Sequence, residues 1–218
     1  MDKVGQGEEK ACCRREARRL ERRAAIVAVA QKHFSEQGYG GTSMSAIAAE
    51  LGGSKSTLWT YFSSKEELFA AALDGWIQQF GFVREMEVNG DLRQTLRRYC
   101  IDFLKVMLSL PARTLFRLII AETPRFPEVG RIFYEHGPLW RHKALAAYLE
   151  EQVLAGNLRE MDSLHASAQL HHLCMQRLFM HVMWGLDPDI SEENIAREID
   201  AALDLFLHGF VARPTPEQ

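Results

Sequence analysis

Apolar residues recur every three to four positions along nearly the whole chain, which is the spacing that places them on one face of an α-helix. In the first predicted helix, 24–34, this face is formed by Ile26, Val27, Ala30 and Phe34. Gly38 follows, where a glycine commonly ends a helix. No segment alternates apolar and polar residues in the way that predicts a strand. The pattern therefore indicates an all-α chain.

Short helices with polar caps follow the first one. Hydroxyl side chains precede three further predicted helices, 44–51, 55–62 and one that begins at residue 65: Ser43, Ser54 and Ser64. A hydroxyl at this position accepts a hydrogen bond from an otherwise unpaired backbone N–H. Glu67 completes a capping box with Ser64. These signals predict a compact N-terminal unit of short helices.

Longer helices are predicted for the rest of the chain, over 92–110, 112–122, 127–155, 163–185 and 191–210. Pro127 has the position of a first-turn proline, and Gly137-Pro138 is expected to kink or split the third of these helices. The chain contains no internal repeat. We expect about nine or ten helices, arranged as a three-helix head and a larger C-terminal bundle.

The helices predicted at 44–51 and 55–62, joined by a glycine-containing turn, form a helix-turn-helix pattern. Leu58 and Phe62 lie on the face that packs against the preceding helix. The other face carries groups that donate hydrogen bonds to phosphates and base edges: Lys55, Ser56, Thr57, Thr60 and Tyr61. A recognition helix places its N-terminal residues in the DNA major groove. The alternative is an ordinary helical corner with no DNA partner.

Charge is distributed unevenly along the chain. The net charge is −3, yet residues 1–65 contain eleven Lys or Arg against seven Asp or Glu. A basic N-terminal part on an acidic body is typical of a nucleic-acid-binding module. Within it, the segment Lys10–Arg23 has only Glu16 and Glu21 as acidic residues. We expect a basic arm that follows the DNA backbone or enters the minor groove, with a disordered tail as the alternative.

Length and composition are those of a globular protein and do not favour a membrane protein. With 218 residues, 47% hydrophobic and 25% charged, the chain is long enough to bury one large core or two modest ones. No apolar run approaches the roughly 18 residues of a membrane span, so a membrane is not an expected partner. The N-terminus has no signal pattern, which predicts a cytoplasmic location. The four cysteines are expected to be free thiols: Cys12, Cys13, Cys100 and Cys174.

Several motifs together resemble the TetR/AcrR family of one-component transcriptional regulators over about residues 24–73. They are Phe34-x-x-x-Gly38-Tyr39, Thr42-Ser43-Met44, Ile47-Ala48, Ser54-Lys55-Ser56-Thr57-Leu58-Trp59-x-Tyr61-Phe62 and Lys65-Glu66-Glu67-Leu68. The resemblance implies that the N-terminal helices bind a palindromic double-stranded DNA operator as a two-fold homodimer. It further implies that the C-terminal helices dimerise and hold a small-molecule effector.

The resemblance also assigns roles within the head. It implies phosphate contacts for Thr42, Ser43 and Lys65, groove contacts for Lys55, Ser56 and Thr57, and backbone or thymine-methyl contacts for Trp59 and Tyr61. With the adjoining hydroxyls, the DNA-binding candidates are Thr42, Ser43, Ser54, Lys55, Ser56, Thr57, Trp59, Thr60, Tyr61 and Lys65. Two positions depart from the family pattern: Gly53 replaces a small aliphatic residue, which predicts a looser turn, and Trp59 replaces a tyrosine.

The expected domains are a basic arm (1–23), a helix-turn-helix domain (24–66), a ligand-binding and dimerisation domain (67–210) and a tail (211–218). Residues 117–128 resemble a C-terminal subgroup of TetR-type regulators. Bulky apolar residues are the candidate lining of an effector cavity: Phe103, Met107, Phe116, Ile120, Phe133, Trp140, Met175 and Phe179. The alternative for each is ordinary core. No charged cluster is evident in these stretches, which favours a hydrophobic or aromatic effector.

The last two helices have the position of the family's dimer interface. Their apolar residues exceed the stripe that one bundle needs: Leu170, Leu173, Leu178, Val182, Ile195, Ile199, Leu203, Phe206 and Phe210. Histidines and a cysteine also lie on the 163–185 helix, as His165, His171, His172, Cys174 and His181. His171 and Cys174 have a spacing that could share a metal, but polar positions at a dimer interface are the preferred interpretation.

No catalytic motif accompanies these residues. The sequence contains no HExxH, CxxC or GxSxG pattern and no glycine-rich phosphate loop, so we expect no catalytic residue, metal or cofactor. The sequence therefore predicts a dimeric, ligand-responsive regulator, most often a repressor in this family. The alternative is a helical small-molecule- or metal-binding protein without a DNA function.

Overall fold

The computed structural model describes residues 3–81 and 91–211, with side chains from residue 14 onward. Its helices are, in chain order, α1 (Lys3–Gly41), α2 (Met44–Glu50), α3 (Lys55–Trp59), α4 (Lys65–Gln79), α5 (Leu92–Leu108), α6 (Leu110–Glu122), α7 (Pro127–His136), α8 (Pro138–Leu154), α9 (Ser163–Met175), α10 (Leu178–Met183) and α11 (Glu192–Phe210). An isolated antiparallel bridge joins Leu158 to Val211. Within the described ranges the architecture is all-α, as the periodicity predicts.

The chain divides into two compact units. The first consists of Met1–Trp76 with Leu118–Phe133, and the second of Ile77–Arg117 with Tyr134–Gln218. The first unit therefore includes most of α4 and the segment around the α6–α7 turn. Both lie outside the helix-turn-helix domain expected from the sequence, which ends at residue 66. No helix in the described ranges is both long and apolar enough to cross a membrane.

An aromatic cluster forms the core of the first unit. The rings of Phe34, Tyr39 and Phe69 are all buried. The Phe69 ring meets Phe34 edge-on at 5.0 Å between centroids and Tyr39 at 5.2 Å. Gly38, with φ +73°, ends the regular part of α1 and turns the chain so that Tyr39 enters this cluster. The predicted end of the first helix at Gly38 is confirmed.

The basic segment ahead of the first predicted helix is part of α1, which begins at Lys3. The backbone of the expected basic arm is therefore helical from Lys3 onward. This differs from the disordered tail that was the alternative interpretation of the sequence. Cys12 and Cys13 lie outside the residues whose side chains are described. Cys100 and Cys174 are free and buried, as expected.

An ion-pair cluster fixes α2 against α1. Lys32 Nζ donates to Glu50 Oε1 at 2.9 Å, and His33 Nε2 lies 2.8 Å from Glu50 Oε2. Gln37 Nε2 lies 3.2 Å from Nδ1 of the same imidazole. The carboxylate at the end of α2 therefore links the helix-turn-helix to the helix that supports it.

The polar caps agree with the sequence, with one adjustment. Ser43, Ser54 and Ser191 accept hydrogen bonds from backbone N–H groups at the starts of α2, α3 and α11. At α4, the Glu67 N–H donates to Ser64 Oγ at 3.1 Å, as a capping box requires. The Glu67 carboxylate accepts from the N–H of Ser63 at 2.7 Å. The return hydrogen bond therefore comes from one residue earlier than predicted.

The second unit is a helical bundle with its own apolar core. Side chains from α5, α8, α9, α10 and α11 meet in it, among them Leu104, Leu149, Leu170, Phe179 and Phe206. The predicted 127–155 helix is split at Gly137, which confirms the effect expected of Gly137-Pro138. The predicted single helix over 163–185 is wrong. It divides into α9 and α10 at Gln176 and Arg177, and this brings the Phe179 ring edge-on to Phe116 at 5.2 Å.

The apolar residues that the sequence assigned to a dimer interface lie mostly in the core of a single chain. Most of the apolar residues expected to exceed the needs of one bundle are buried inside this core: Leu170, Leu178, Val182, Ile195, Ile199, Leu203 and Phe206. Leu173 and Phe210 pack partly buried against it. The bundle itself accounts for their apolar character, because the core receives side chains from several helices at once.

The candidate cavity-lining residues separate into groups. Phe103, Met107 and Phe179 are buried in the second core, against which Phe116 and Met175 pack. Phe133 is half-buried and belongs to the first unit. Ile120 and Trp140 are exposed, by 59% and 44%. These two side chains therefore lie outside the buried cores of the described residues, and their assignment to an effector cavity stays a prediction.

Truncation of the aromatic cluster provides a first prediction. Phe34→Ala removes a fully buried ring and is expected to lower the free energy of unfolding by about 3–5 kcal/mol. Urea unfolding followed by circular dichroism measures this. Tyr134→Ala is the control, because that ring is 49% exposed, and it should change stability by no more than about 0.5 kcal/mol. Equal effects of the two variants would contradict this packing.

The Glu50 cluster predicts a pH dependence. Hydrogen bonds from Lys32 and then His33 hold the pKa of the Glu50 carboxyl below its ordinary 4.5. A carboxyl pKa that is lower in the folded state contributes stability above the unfolded-state pKa, and this contribution is lost as the pH falls through the folded value. Glu50→Gln should therefore lower the unfolding midpoint in urea at pH 7.

The same variant should approach the wild-type midpoint at pH values well below 4.5, where Glu50 is protonated in both states of the wild type. Glu150→Gln, at an exposed position on α8, is the matched control and should follow the wild type at every pH. A Glu50→Gln deficit that is independent of pH would show that the charge of Glu50 is not what stabilises α2.

Candidate nucleic-acid interface

The turn between α2 and α3 is closed by a glycine and an arginine. Gly52 has φ +62°, a conformation that favours glycine. A Cβ atom on Gly53 would lie 3.2 Å from Nη2 of Arg22, which donates to the Leu51 carbonyl at 3.3 Å. The space left under the turn is about 10 Å³, no more than one water occupies. Arg22 therefore fills the volume that Gly53 leaves, and the expectation of a looser turn is not supported.

The helix-turn-helix packs through one face of α3. Ile47 on α2 and Leu58 on α3 are buried, and Phe62 is buried just after α3. The Arg23 guanidinium lies 4.9 Å from the centroid of the Phe62 ring and adds a cation–π contact from α1. The apolar stripe predicted from the sequence is thus the packed face.

The opposite face of α3 is polar and exposed. Lys55, Ser56, Thr57, Trp59 and Thr60 are exposed, and Tyr61 is half-buried. All six are among the candidate DNA-binding residues, and they lie within seven consecutive positions of α3 and the turn after it. The six side chains include one cation, three aliphatic hydroxyls and two aromatic rings, one of them a phenol, and these groups can contact phosphates, base edges and sugars.

Hydroxyl groups at the start of α3 form a connected network. Ser54 Oγ accepts from the Thr57 N–H at 3.1 Å. The same oxygen lies 2.7 Å from Ser56 Oγ and 2.8 Å from Thr57 Oγ1. Thr60 Oγ1 donates to the Thr57 carbonyl at 2.7 Å. The network orients these side chains while leaving them exposed.

The two hydroxyl residues before α2 have different positions. Ser43 is exposed and caps α2 by accepting from the Ala46 N–H at 3.1 Å. Thr42 is buried, and its hydroxyl donates to the Gly38 carbonyl at 2.8 Å. The structure removes the Thr42 side chain from the candidate phosphate contacts, because a buried hydroxyl does not reach DNA. Its role is to hold the turn that follows α1.

Lys65 is engaged within the first unit. Its ammonium lies 4.3 Å from the centroid of the Tyr39 ring, and Phe126 is a second aromatic neighbour. Burial lowers the Lys65 pKa, an effect that Glu122, Glu66 and Glu128 partly oppose. The predicted phosphate contact would have to compete with this cation–π contact. Sequence reasoning missed the contact because Tyr39 and Phe126 are distant from Lys65 in the chain.

A second long-range contact holds the turn between α1 and α2. The Gly40 N–H donates to Glu122 Oε2 at 3.0 Å. A Cβ atom on Gly40 would lie 2.8 Å from the Phe126 ring, so the close approach requires glycine. Sequence reasoning did not identify Glu122 or Phe126 as residues that support the helix-turn-helix, and no local pattern marks them.

Basic side chains continue along α1. Arg14, Arg15, Arg18 and Arg19 are exposed. Since these residues belong to α1, their charges are carried on a helix rather than on a free tail, and they add exposed positive charge to the first unit.

The histidines of the second unit do not form a metal centre in the described ranges, where no group of three or more His, Cys, Asp or Glu side chains is placed to hold a metal ion. His165 and His172 are exposed on α9, whereas His171 is buried. His171 and Cys174 both face the core of the bundle.

Two family models match the chain. Residues 26–72 match the model for bacterial regulatory proteins of the tetR family. Residues 94–211 match the model described as AefR-like transcriptional repressor, C-terminal domain. The second match covers more than half of the chain, and the two together include the helix-turn-helix and the bundle.

Curated relatives match over shorter segments. The chain is 32% identical to the HTH-type transcriptional regulator RutR of Escherichia coli K12, over 38% of this chain and 48% of that protein. It is 36% identical to the HTH-type transcriptional activator FasR of Mycolicibacterium smegmatis, over 36% of this chain and 37% of that protein. The matched segments thus span about half or less of the length of these curated relatives.

Solved structures match over most of the chain. The flavonoid-responsive regulator FrrA has a TM-score of 0.80 and is 33% identical, with 89% of this chain and 99% of that chain covered. A structure from Mesorhizobium loti described as a TetR-family regulator has a TM-score of 0.73 and is 25% identical, with 88% and 98% covered. TetR-family regulators bind DNA and small-molecule effectors and form dimers. The chain belongs to the TetR family of transcriptional regulators.

Proposed function

We propose that the protein is a ligand-responsive repressor that binds a palindromic DNA operator as a homodimer. The observation that carries this proposal is the exposed polar face of α3 beside the packed face formed by Leu58 and Phe62. A helix held in this way presents its side chains to the major groove while its apolar face stays in the head.

The residues of the interface have distinct proposed roles. Lys55, Ser56 and Thr57 enter the major groove at the start of α3, and Ser43 contacts a phosphate at the start of α2. Trp59 and Tyr61 contact the sugar-phosphate backbone or thymine methyls, since each presents a large ring beside the groove residues. Ser54 and Thr60 orient their neighbours through the hydroxyl network.

Support for repression comes from the family model of the C-terminal domain, which describes AefR-like repressors. The effector must bind the DNA-incompetent arrangement more tightly than the competent one, because a ligand with equal affinity for both shifts neither. FrrA is described as flavonoid-responsive. We therefore propose an effector with an aromatic or otherwise hydrophobic body for this chain as well.

The proposed dimer uses the outward faces of α9 and α11, two helices that pack against each other. Leu164 on α9 and Leu205 on α11 stay exposed, by 41% and 66%. Since the other apolar residues of these helices are mostly in the core, these exposed positions are the ones that an isologous two-fold interface would cover.

Selection from a random pool of DNA duplexes tests the DNA function. We expect a palindromic sequence with half-sites about one helical turn apart, or somewhat more, bound with an affinity that falls steeply with salt. Lys55→Ala should reduce the salt slope by about one unit per protomer, because it removes a charge near the phosphates. Tyr61→Ala should weaken binding with little change in slope.

Lys143→Ala is the matched control for charge, because Lys143 is exposed on α8 in the second unit, and it should leave both affinity and slope unchanged. Failure to enrich any sequence would contradict the proposal and favour a helical sensor without a DNA function. Equal slopes for Lys55→Ala and the wild type would remove Lys55 from the interface.

A charged substitution tests the dimer surface. Leu205→Glu places a carboxylate on the proposed interface and should raise the dimer dissociation constant tenfold or more, as measured by sedimentation equilibrium. Leu20→Glu is the control, since Leu20 is 58% exposed on α1 and belongs to the first unit. A Leu205→Glu variant that dimerises like the wild type would move the interface elsewhere.

A further inference from the structure

Arginines occupy one side of α1 ahead of the head. Residues 14–23 contain six arginines, and at about 100° per residue all six fall within one half of the helix circumference. The other half carries Glu16, Ala17, Leu20 and Glu21. We call the six residues the arginine face: Arg14, Arg15, Arg18, Arg19, Arg22 and Arg23. The positive charge of this segment is therefore directed to one side, and its two carboxylates lie on the other.

The arginine face continues into the packed side of the helix-turn-helix. Arg22 donates to the Leu51 carbonyl in the turn before α3, and the Arg23 guanidinium lies 4.9 Å from the centroid of the Phe62 ring just after α3. One turn farther along α1, the buried Ile26 lies on the same side of the helix. The side of α1 that packs within the head therefore becomes a row of exposed arginines before residue 22.

The arginine face reaches the start of α3 at Arg22. This side chain lines the same small space as Ser54, which caps α3, and Thr57, which is in its first turn. At 1.5 Å of rise per residue, one pair of exposed arginines lies about 5 Å before Arg22 along the axis and the other about 11 Å before it. Exposed positive charge thus begins within about one helical turn of the end of α3 that carries the candidate groove residues.

The helical form of α1 limits which part of a duplex these arginines can contact. An α-helix with its side chains is about 10–12 Å wide, whereas the minor groove of DNA is about 6 Å wide. Because the described backbone is helical from Lys3, it does not fit that groove as an extended arm would. The phosphates that border a groove are reached from outside, and a planar guanidinium donates two parallel hydrogen bonds to a phosphate.

We propose that the arginine face binds the phosphates that flank the DNA segment read by α3, and that it contacts no bases. The inference rests on the proposed DNA binding and adds a second contact surface, made by Arg14, Arg15, Arg18 and Arg19. Of the two modes expected from the sequence, it selects the one along the backbone. Since phosphate contacts carry no sequence information, this surface raises the affinity for any duplex, and α3 provides the choice of operator.

Titration of the selected operator at several salt concentrations tests this surface in the full-length chain. The double variant Arg15→Gln/Arg19→Gln removes two neighbouring exposed charges, and glutamine is a good helix former. We expect the slope of log affinity against log salt to become shallower by about two units per protomer, and the affinity near 0.1 M salt to fall about tenfold or more. Lys143→Gln/Arg197→Gln removes the same charge from exposed positions in the second unit and should keep the wild-type slope.

A proline variant tests whether the arginines must be held on a helix. Proline breaks a helix interior but is accepted at the first helical position, so Leu20→Pro should make α1 begin at residue 20 and release the arginines before it. All charges remain, yet operator affinity should fall about three- to tenfold, because a flexible segment must be ordered on binding. Leu20→Ala is the control, since this side chain is 58% exposed, and it should bind like the wild type.

Changes in the flanking base pairs distinguish the backbone from the minor groove. Replacement of A·T by G·C pairs on both sides of the operator should leave the affinity unchanged within about twofold, because the minor groove differs between these pairs and the phosphates do not. A preference for A·T flanks that disappears in the double variant would place the arm in the minor groove and overturn the proposal.

The proposal is also overturned if the double variant keeps the wild-type salt slope or if Leu20→Pro binds the operator as tightly as the wild type. A duplex of unrelated sequence separates this result from the fate of the proposed repressor. If no operator is enriched but the double variant lowers the salt slope on that duplex, the inference stands and the repressor is contradicted. If an operator is enriched and the double variant binds it like the wild type, the reverse holds.

Discussion

The ring of Tyr39 is the contact on which the arrangement of the first unit depends. It packs against Phe34 of α1 and Phe69 of α4, and on another side against Phe126 after α6, at 5.3 Å between centroids. Lys65 covers its face. Because Tyr39 follows the break at Gly38 directly, these contacts fix the direction in which the chain enters the turn before α2. That direction in turn sets the position of the helix-turn-helix. Thr42 holds the turn through its hydrogen bond to the Gly38 carbonyl, and Glu50 ties the end of α2 back to α1 through His33.

The polar residues of the helix-turn-helix motifs fall into two groups in the structure. Some make contacts that hold the head together, and others are exposed on its surface. Thr42 and Lys65 belong to the first group, because one is buried and the other lies on an aromatic face. Lys55 and Trp59 belong to the second, because α3 directs them outward. The motif contains residues of both groups, so matching a residue to a motif does not by itself assign it a contact with DNA. Burial and hydrogen bonding make that distinction.

The contacts that join Tyr99, Phe103, Arg141 and His171 in the second unit could not be found by reading along the chain. Tyr99, Arg141 and His171 are separated by dozens of residues, and each occurs within an amphipathic helix where it looks like an ordinary polar position. Sequence reasoning considered His171 as a metal ligand or an interface residue and found no charged cluster. The bundle brings the three side chains together, and the low-dielectric surroundings then give Arg141 an influence on its neighbours that it would not have in water.

The sequence by itself determined the helical class, most helix starts, the break at Gly38 and the helix-turn-helix, because periodicity, caps and glycine conformations act within about one helical turn. Only the tertiary structure decided that α9 and α10 separate, that Arg22 fills the space beside Gly53, and that Glu122 binds the Gly40 N–H. It also decided that most of the C-terminal apolar residues are core rather than surface. These outcomes depend on side chains far apart in the chain, and their energies come from packing and desolvation that no local pattern encodes.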